Sequence, residues 1–169
     1  MQPFQTKRLA LREFSQEDWP EMLALLNTAD FIQNIGDRGI RDEQGARKYL
    51  LDGPIKSYRE HGFGLWRVSL VENDVFIGTC GLIRRDTLPE VDIGYGLLPA
   101  YYGKGYAVEA AAACVARRGE FGIDGLVAIV TEANLPSRRL LEKIGLTLSH
   151  QIQFGEPAED LLLYKLVTD

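Results

Sequence analysis

Two cysteines, Cys80 and Cys114, are all that the 169 residues contain, and both lie in apolar segments. That excludes a disulfide framework and reads as two buried thiols in a reducing compartment. Histidine is as scarce: with only His61 and His150 and no close Cys/His spacing, a zinc site would have to collect carboxylates from scattered positions. No metal is expected. No apolar run of signal-peptide length opens the chain, and none approaches the roughly 20 residues of a membrane helix. A cytoplasmic protein with no membrane partner is the expectation. A basic surplus is missing too, since the net charge is -5, which argues against nucleic acid as a partner. A local basic spot could still hold one small polyanion. Without repeats, low-complexity tracts or linkers, and with 46% hydrophobic and 25% charged residues, the chain reads as one domain over 1–169.

What is present is a change of period along the chain. Leu9, Leu11 and Phe14 alternate with polar or small residues and predict a strand near 7–14. Ser15, with Asp18 three residues on, predicts a capped helix whose apolar stripe is Trp19, Met22, Leu23 and Leu26. A short helical turn is expected at 30–33, and a second helical region over about 42–60 that Gly53-Pro54 must break or bend. Strands at 63–70 and 75–83 form a hairpin about Glu72-Asn73-Asp74, and a third strand covers 90–98. A helix over 104–121, a continuously apolar strand over 126–131, a helix over 135–144 and two strands near 146–154 and 160–167 complete the chain. This order implies a mixed sheet with helices on both sides and one strand-helix-strand crossover around 90–131.

That crossover holds the stretch EVDIGYGLLPAYYGKGYAVEAAAA, residues 90–113. A strand that runs through a glycine-bearing turn straight into a helix builds an anion seat, because a helix start carries unpaired N–H groups and partial positive charge. Two other phosphate motifs fail on spacing. A P-loop needs Ser or Thr after the lysine, and Lys104 is followed by Gly105. A dinucleotide fingerprint needs a third glycine near Val108.

TKRLALREF at the start, FIGTCGLIRR and VDIGYGLLP in the middle, YYGKGYAVEA at the turn and NLPSRRLLEKIGL near the end together resemble the GNAT superfamily of N-acetyltransferases. Within it they are most similar to the RimJ/RimL branch of ribosomal-protein-alanine acetyltransferases. The resemblance implies an α/β (α+β) fold: a mostly antiparallel twisted sheet of about seven strands, helices on both faces, and a splayed parallel pair at the acetyl-CoA site. It maps the family's pyrophosphate turn, Q/R-x-x-G-x-G/A, onto Tyr102, Gly103, Lys104, Gly105, Tyr106 and Ala107, with Tyr102 departing from Gln or Arg. It implies that main-chain groups at Leu97 and Leu98 meet the pantetheine arm and thioester oxygen, an oxyanion site. It also sets Asn134 and Ser137 beside that arm. By sequence alone Asn134 is a helix cap, and Ser137 a hydroxyl that needs a partner on the apolar face of Leu140, Leu141 and Ile144. That partner could be its own helix backbone.

Many relatives place a proton-donating tyrosine where this chain has Leu141. The acid here is then Ser137, a water, or a tyrosine such as Tyr95 or Tyr102, with Ser137 favoured. For the amine proton, Glu90 and Asp92 share a strand face by the period-two rule, and Glu132 is a further candidate. Trp66, Phe63 and Tyr58 could wall the acceptor site. The expected activity is acetyl transfer from acetyl-CoA to a primary amine, a peptide or protein N-terminus or a small amine, by a monomer or homodimer. The alternatives are a catalytically silent acyl-CoA sensor and a phosphate-binding protein unrelated to CoA.

Overall fold

A computed structural model describes residues 3–168. Eight strands form one sheet: β1 (Phe4–Gln5), β2 (Leu9–Arg12), β3 (Leu65–Leu70), β4 (Phe76–Ile83), β5 (Asp92–Leu97), β6 (Val127–Val130), β7 (Leu146–Phe154) and β8 (Glu159–Leu166), in spatial order β1-β2-β3-β4-β5-β6-β8-β7. Every neighbouring pair is antiparallel except β5 and β6. The mixed fold expected from sequence is therefore present, with β1 as an added strand.

Six α-helices join these strands: α1 (Trp19–Leu26), α2 (Ala29–Asn34), α3 (Glu43–Leu50), α4 (Lys56–His61), α5 (Tyr106–Arg117) and α6 (Leu135–Lys143). Their starts follow the capping residues: Thr28 accepts the Phe31 N–H, and Asp42 accepts the Gly45 N–H. Gly53-Pro54 does not interrupt the 42–60 region. Leu51–Ile55 is instead a π-helical segment that carries the chain from α3 into α4.

The sheet buries both faces. One face packs Leu9, Leu11, Trp66, Val68, Ile77, Cys80 and Ile93 against the small residues Ala110, Ala111 and Cys114 of α5. Those short side chains let the helix lie close to the strands. Cys80 and Cys114 are buried free thiols whose sulfurs are 3.7 Å apart. On the other face, Phe76 of β4 and Phe14 pack against Met22, Leu25 and Leu26 of α1, Phe31 of α2 and Leu50 of α3.

Beneath α1 lies a charge network on the polar positions of β3. Arg67, 4% exposed, donates to Glu21 at 2.8 Å and to Asp74 at 2.9 Å, while Asp18 accepts two bonds from Arg12 and the Ser15 N–H. Burial alone raises the Asp18 carboxyl, but the Arg12 and Ser15 bonds and the Arg12 and Arg67 charges outweigh it and hold it below the ordinary 3.8. Stability from such a depressed carboxyl is complete above its unfolded value and is lost as pH falls through the folded one. Asp18→Asn is expected to cost about 1.5–3 kcal/mol at neutral pH. Thermal melts of both proteins should show that gap narrowing as pH drops below 3.8; a gap independent of pH would remove the charge from the explanation.

Candidate active site

The parallel pair β5 and β6 touches at one register position, Asp92 opposite Val127, and then opens. Hydrogen-bond alternation fixes what the opening presents. Val127 N–H donates to the Val91 carbonyl, and Leu98 N–H donates to Ile77, so even-numbered residues of β5 face β4 and odd-numbered ones face β6. Tyr95 and Leu97 consequently turn main-chain groups into the gap. By the same rule, with Leu166 N–H on Leu126, β6 presents Ile129 and Thr131 from the other side.

At the open end the chain makes a short 3-10 turn at Pro99–Tyr101 and reaches α5 through Gly103 and Gly105, both left-handed at φ 72° and 79°. Gly105 is the N-cap of α5, a twelve-residue helix, so the unpaired N–H groups of its first turn face outward beside the gap. The β1-β2 hairpin braces this turn. Arg8 donates to the Lys104 carbonyl at 2.9 Å and to Glu109 at 2.7 Å, and lies 4.4 Å over the Tyr106 ring; Glu109 also accepts from Thr6. Burial raises the Glu109 carboxyl, but these bonds reverse the sign and keep it a charged acceptor.

Gap and turn belong to one open cleft of about 2100 Å³ lined by Tyr95, Leu97, Tyr102, Gly103, Gly105 to Val108, Ile129 to Thr131, Asn134 and Ser137. That is well above the 300–1,000 Å³ of a pocket for one drug-sized ligand. Asn134 caps α6 by accepting the Ser137 N–H, as its sequence position predicts. Ser137 does not bond only within its helix: its Oγ meets the Tyr95 hydroxyl across the gap. Burial pushes the Tyr95 phenol up to about 12, against the Ser137 bond that lowers it. Leu141 is buried in the core and brings no proton donor.

Other expected residues are placed differently. Leu98 spends its N–H on Ile77 and packs its side chain beneath α1 to α3, so of the Leu97-Leu98 pair only Leu97 faces the gap. Lys104 contributes its carbonyl to Arg8 and sets its ammonium 5.8 Å from the Tyr101 ring. Glu90 does not line the cleft; its carboxylate lies 4.0 Å from Lys165. Asp92 does line it, at the closed end, 2.9 Å from Arg85; burial raises its carboxyl while Arg85 pulls it down. Glu132 is exposed, and its carbonyl accepts from Arg138. Trp66 and Phe63 are core residues, and the Tyr58 hydroxyl is taken up by Phe14 and Leu65, so none of the three walls the acceptor side. Phe31, Tyr49 and Phe154 line the cleft in their place, a juxtaposition of distant segments that no local period signals.

Residues 8–147 match the family model of the acetyltransferase (GNAT) domain. The chain belongs to the GNAT family. Among relatives of this GNAT protein, an uncharacterized N-acetyltransferase of Bacillus subtilis, YnaD, is 28% identical over 143 residues, covering 83% of this chain and 80% of that one. An acetyltransferase structure from Agrobacterium tumefaciens superposes with a TM-score of 0.83 at 27% identity over 99% of this chain and 95% of its own. RimL, a ribosomal alpha-N-protein acetyltransferase solved in complex with coenzyme A, shares the fold with a TM-score of 0.85 at 16% identity, covering 98% of each chain. Among the described residues no group of three or more His, Cys, Asp or Glu is arranged to hold a metal, and no helix is long and apolar enough to cross a membrane.

Proposed function

We propose that this GNAT protein transfers the acetyl group of acetyl-CoA to a primary amine, by direct attack with both substrates held in the cleft. The observation that carries this reading is the open β5-β6 gap running into the Gly105-capped start of α5. The turn from Tyr102 to Ala107 would hold the pyrophosphate through backbone N–H groups, which explains why a tyrosine suffices at its first position. Acetyl-CoA supplies an activated thioester. Leu97 N–H, fixed by its strand, donates to the thioester oxygen as negative charge builds there. Asn134 holds the start of α6 so that Ser137 sits at the sulfur end, with its hydroxyl as the donor to the departing thiol. Of Glu90, Asp92 and Glu132, Asp92 is the one that borders the cleft, and it serves the amine proton through water.

The acceptor is an amine on a peptide or small molecule, and a panel of both resolves which. Incubation with acetyl-CoA and that panel should release free thiol only when an acceptor is present. Leu141, with no acid to offer, favours one second reading, a silent acyl-CoA sensor. Thermal stabilisation by acetyl-CoA with no acceptor-dependent thiol release across the panel would select the sensor. No stabilisation by CoA at all would reject both.

A further inference from the structure

Tyr95 stands between two glycines, Gly94 and Gly96, on the strand that lines one side of the gap. Ser137 enters from α6 on the other side. Their hydroxyl oxygens are in direct hydrogen-bond contact, and the Tyr95 oxygen is 3.4 Å from the Ser137 carbonyl as well. Both residues line the cleft. Each hydroxyl has one proton, so only one of the two can donate within the pair while the other keeps its proton for a third group. A phenol is a stronger acid than an alkyl alcohol and takes the donor role. The Ser137 proton is left free to point into the cleft.

We propose that Tyr95 is a positioning residue for thiol departure: its O–H donates to Ser137 Oγ, which aims and polarises the Ser137 O–H toward the sulfur. This rests on the acetyl-transfer reading above. As the C–N bond forms and the C–S bond breaks, the electron pair of the latter goes to sulfur. The amine nitrogen gives up one proton and the sulfur gains one, so no other reagent is needed. Ser137 donates a hydrogen bond to the sulfur while that charge is present, strengthened by the bond it accepts from Tyr95. Because burial holds the phenol near 12, Tyr95 stays protonated and remains a donor across the working pH range.

The test compares the parent with Tyr95→Phe, Ser137→Ala and the double variant. The first readout is kcat and KM for acetyl-CoA with an acceptor from the panel. The second is the thiol titration of bound CoA, followed by thiolate absorbance. Tyr95→Phe is expected to lower kcat about tenfold, the worth of one hydrogen bond, with KM changed less than twofold, and to raise the titration midpoint of the bound thiol. In the Ser137→Ala background the same change should do nothing further to either quantity, since the two act as one unit. Ser137→Thr, which keeps a hydroxyl, should restore the dependence on Tyr95. Equal effects of Tyr95→Phe with and without Ser137, or an unmoved thiol titration, would overturn the assignment and leave acetyl transfer standing. A parent protein that fails to bind CoA would overturn the transfer reading itself.

Discussion

Gly105→Val is expected to weaken CoA binding by at least about 100-fold, roughly 2.7 kcal/mol, while the unliganded protein still folds. Gly105 has φ 79° and caps α5, and a β-branched residue is a true outlier in that region. Its first carbon would lie 3.4 Å from the Arg8 guanidinium, so the branches that follow must displace either Arg8 or the outward-facing N–H groups. Either way the anion seat is lost. Left-handed strain of about 1–2 kcal/mol is small beside the whole fold, and the melting temperature should fall by only a few degrees. Two milder variants separate the causes. At Gly103, φ 72° but with nothing within 4 Å of an added carbon, alanine brings the strain without the collision. Arg8→Met keeps the glycine and removes the bond to the Lys104 carbonyl and the grip on Glu109. Both should bind CoA several-fold more weakly than the parent and far better than Gly105→Val. Calorimetric titration with CoA ranks the three, and a Gly105→Val protein that binds like the parent would remove the turn from the cofactor site.

How far the sequence could reach is visible in the same elements. The turn was legible because its signal is local: two glycines, a helix start and a preceding strand lie within 24 residues. Asn134 as a cap, the hairpin of β3 and β4 and the Ser15-Asp18 pairing are local for the same reason. β1 is two residues long, below any detectable period, and exists because Phe4 and Gln5 find Leu11 and Ala10. Proline at position 54 announces a missing N–H, but whether a helix breaks or widens there depends on what α3 and α4 must pack against. Period two put Asp92 on a strand, and the structure sets it on the cleft wall. The period could not know that Glu90 would turn to Lys165, or that Arg85 would neutralise Asp92. The Tyr95-Ser137 contact joins residues 42 positions apart. It exists only because β5 and β6 part after one register pair, which is a property of the sheet.

The sheet has its own weak point beside that parting, at Gly81 in the middle of β4. A Cβ built there would lie 2.1 Å from the Gly64 carbonyl oxygen and 2.7 Å from the Leu65 Cα. Both obstacles are main chain, and neither can rotate away. Gly81 pairs with Leu65 on one side and Gly94 on the other, so relief requires moving β3 or pushing β4 against β5, the strand that carries Tyr95 and Leu97. Gly81→Ala is expected to destabilise the fold by about 3 kcal/mol, the upper range for overpacking, which corresponds to a melting temperature lower by roughly 6–12 °C. Gly94→Ala is the matched control on the adjacent strand. Its new carbon meets Ile83 Cδ1 at 2.8 Å, the tip of a flexible side chain that can turn aside, and the loss should stay under about 1 kcal/mol. The two melting curves, read beside the acetyl-transfer rate of each variant, distinguish a rigid β3-β4-β5 core from a plastic one. Equal melting temperatures for the two alanine variants would mean that β3 yields at Gly64, and that the β5 edge is held from the β6 side and α5 instead.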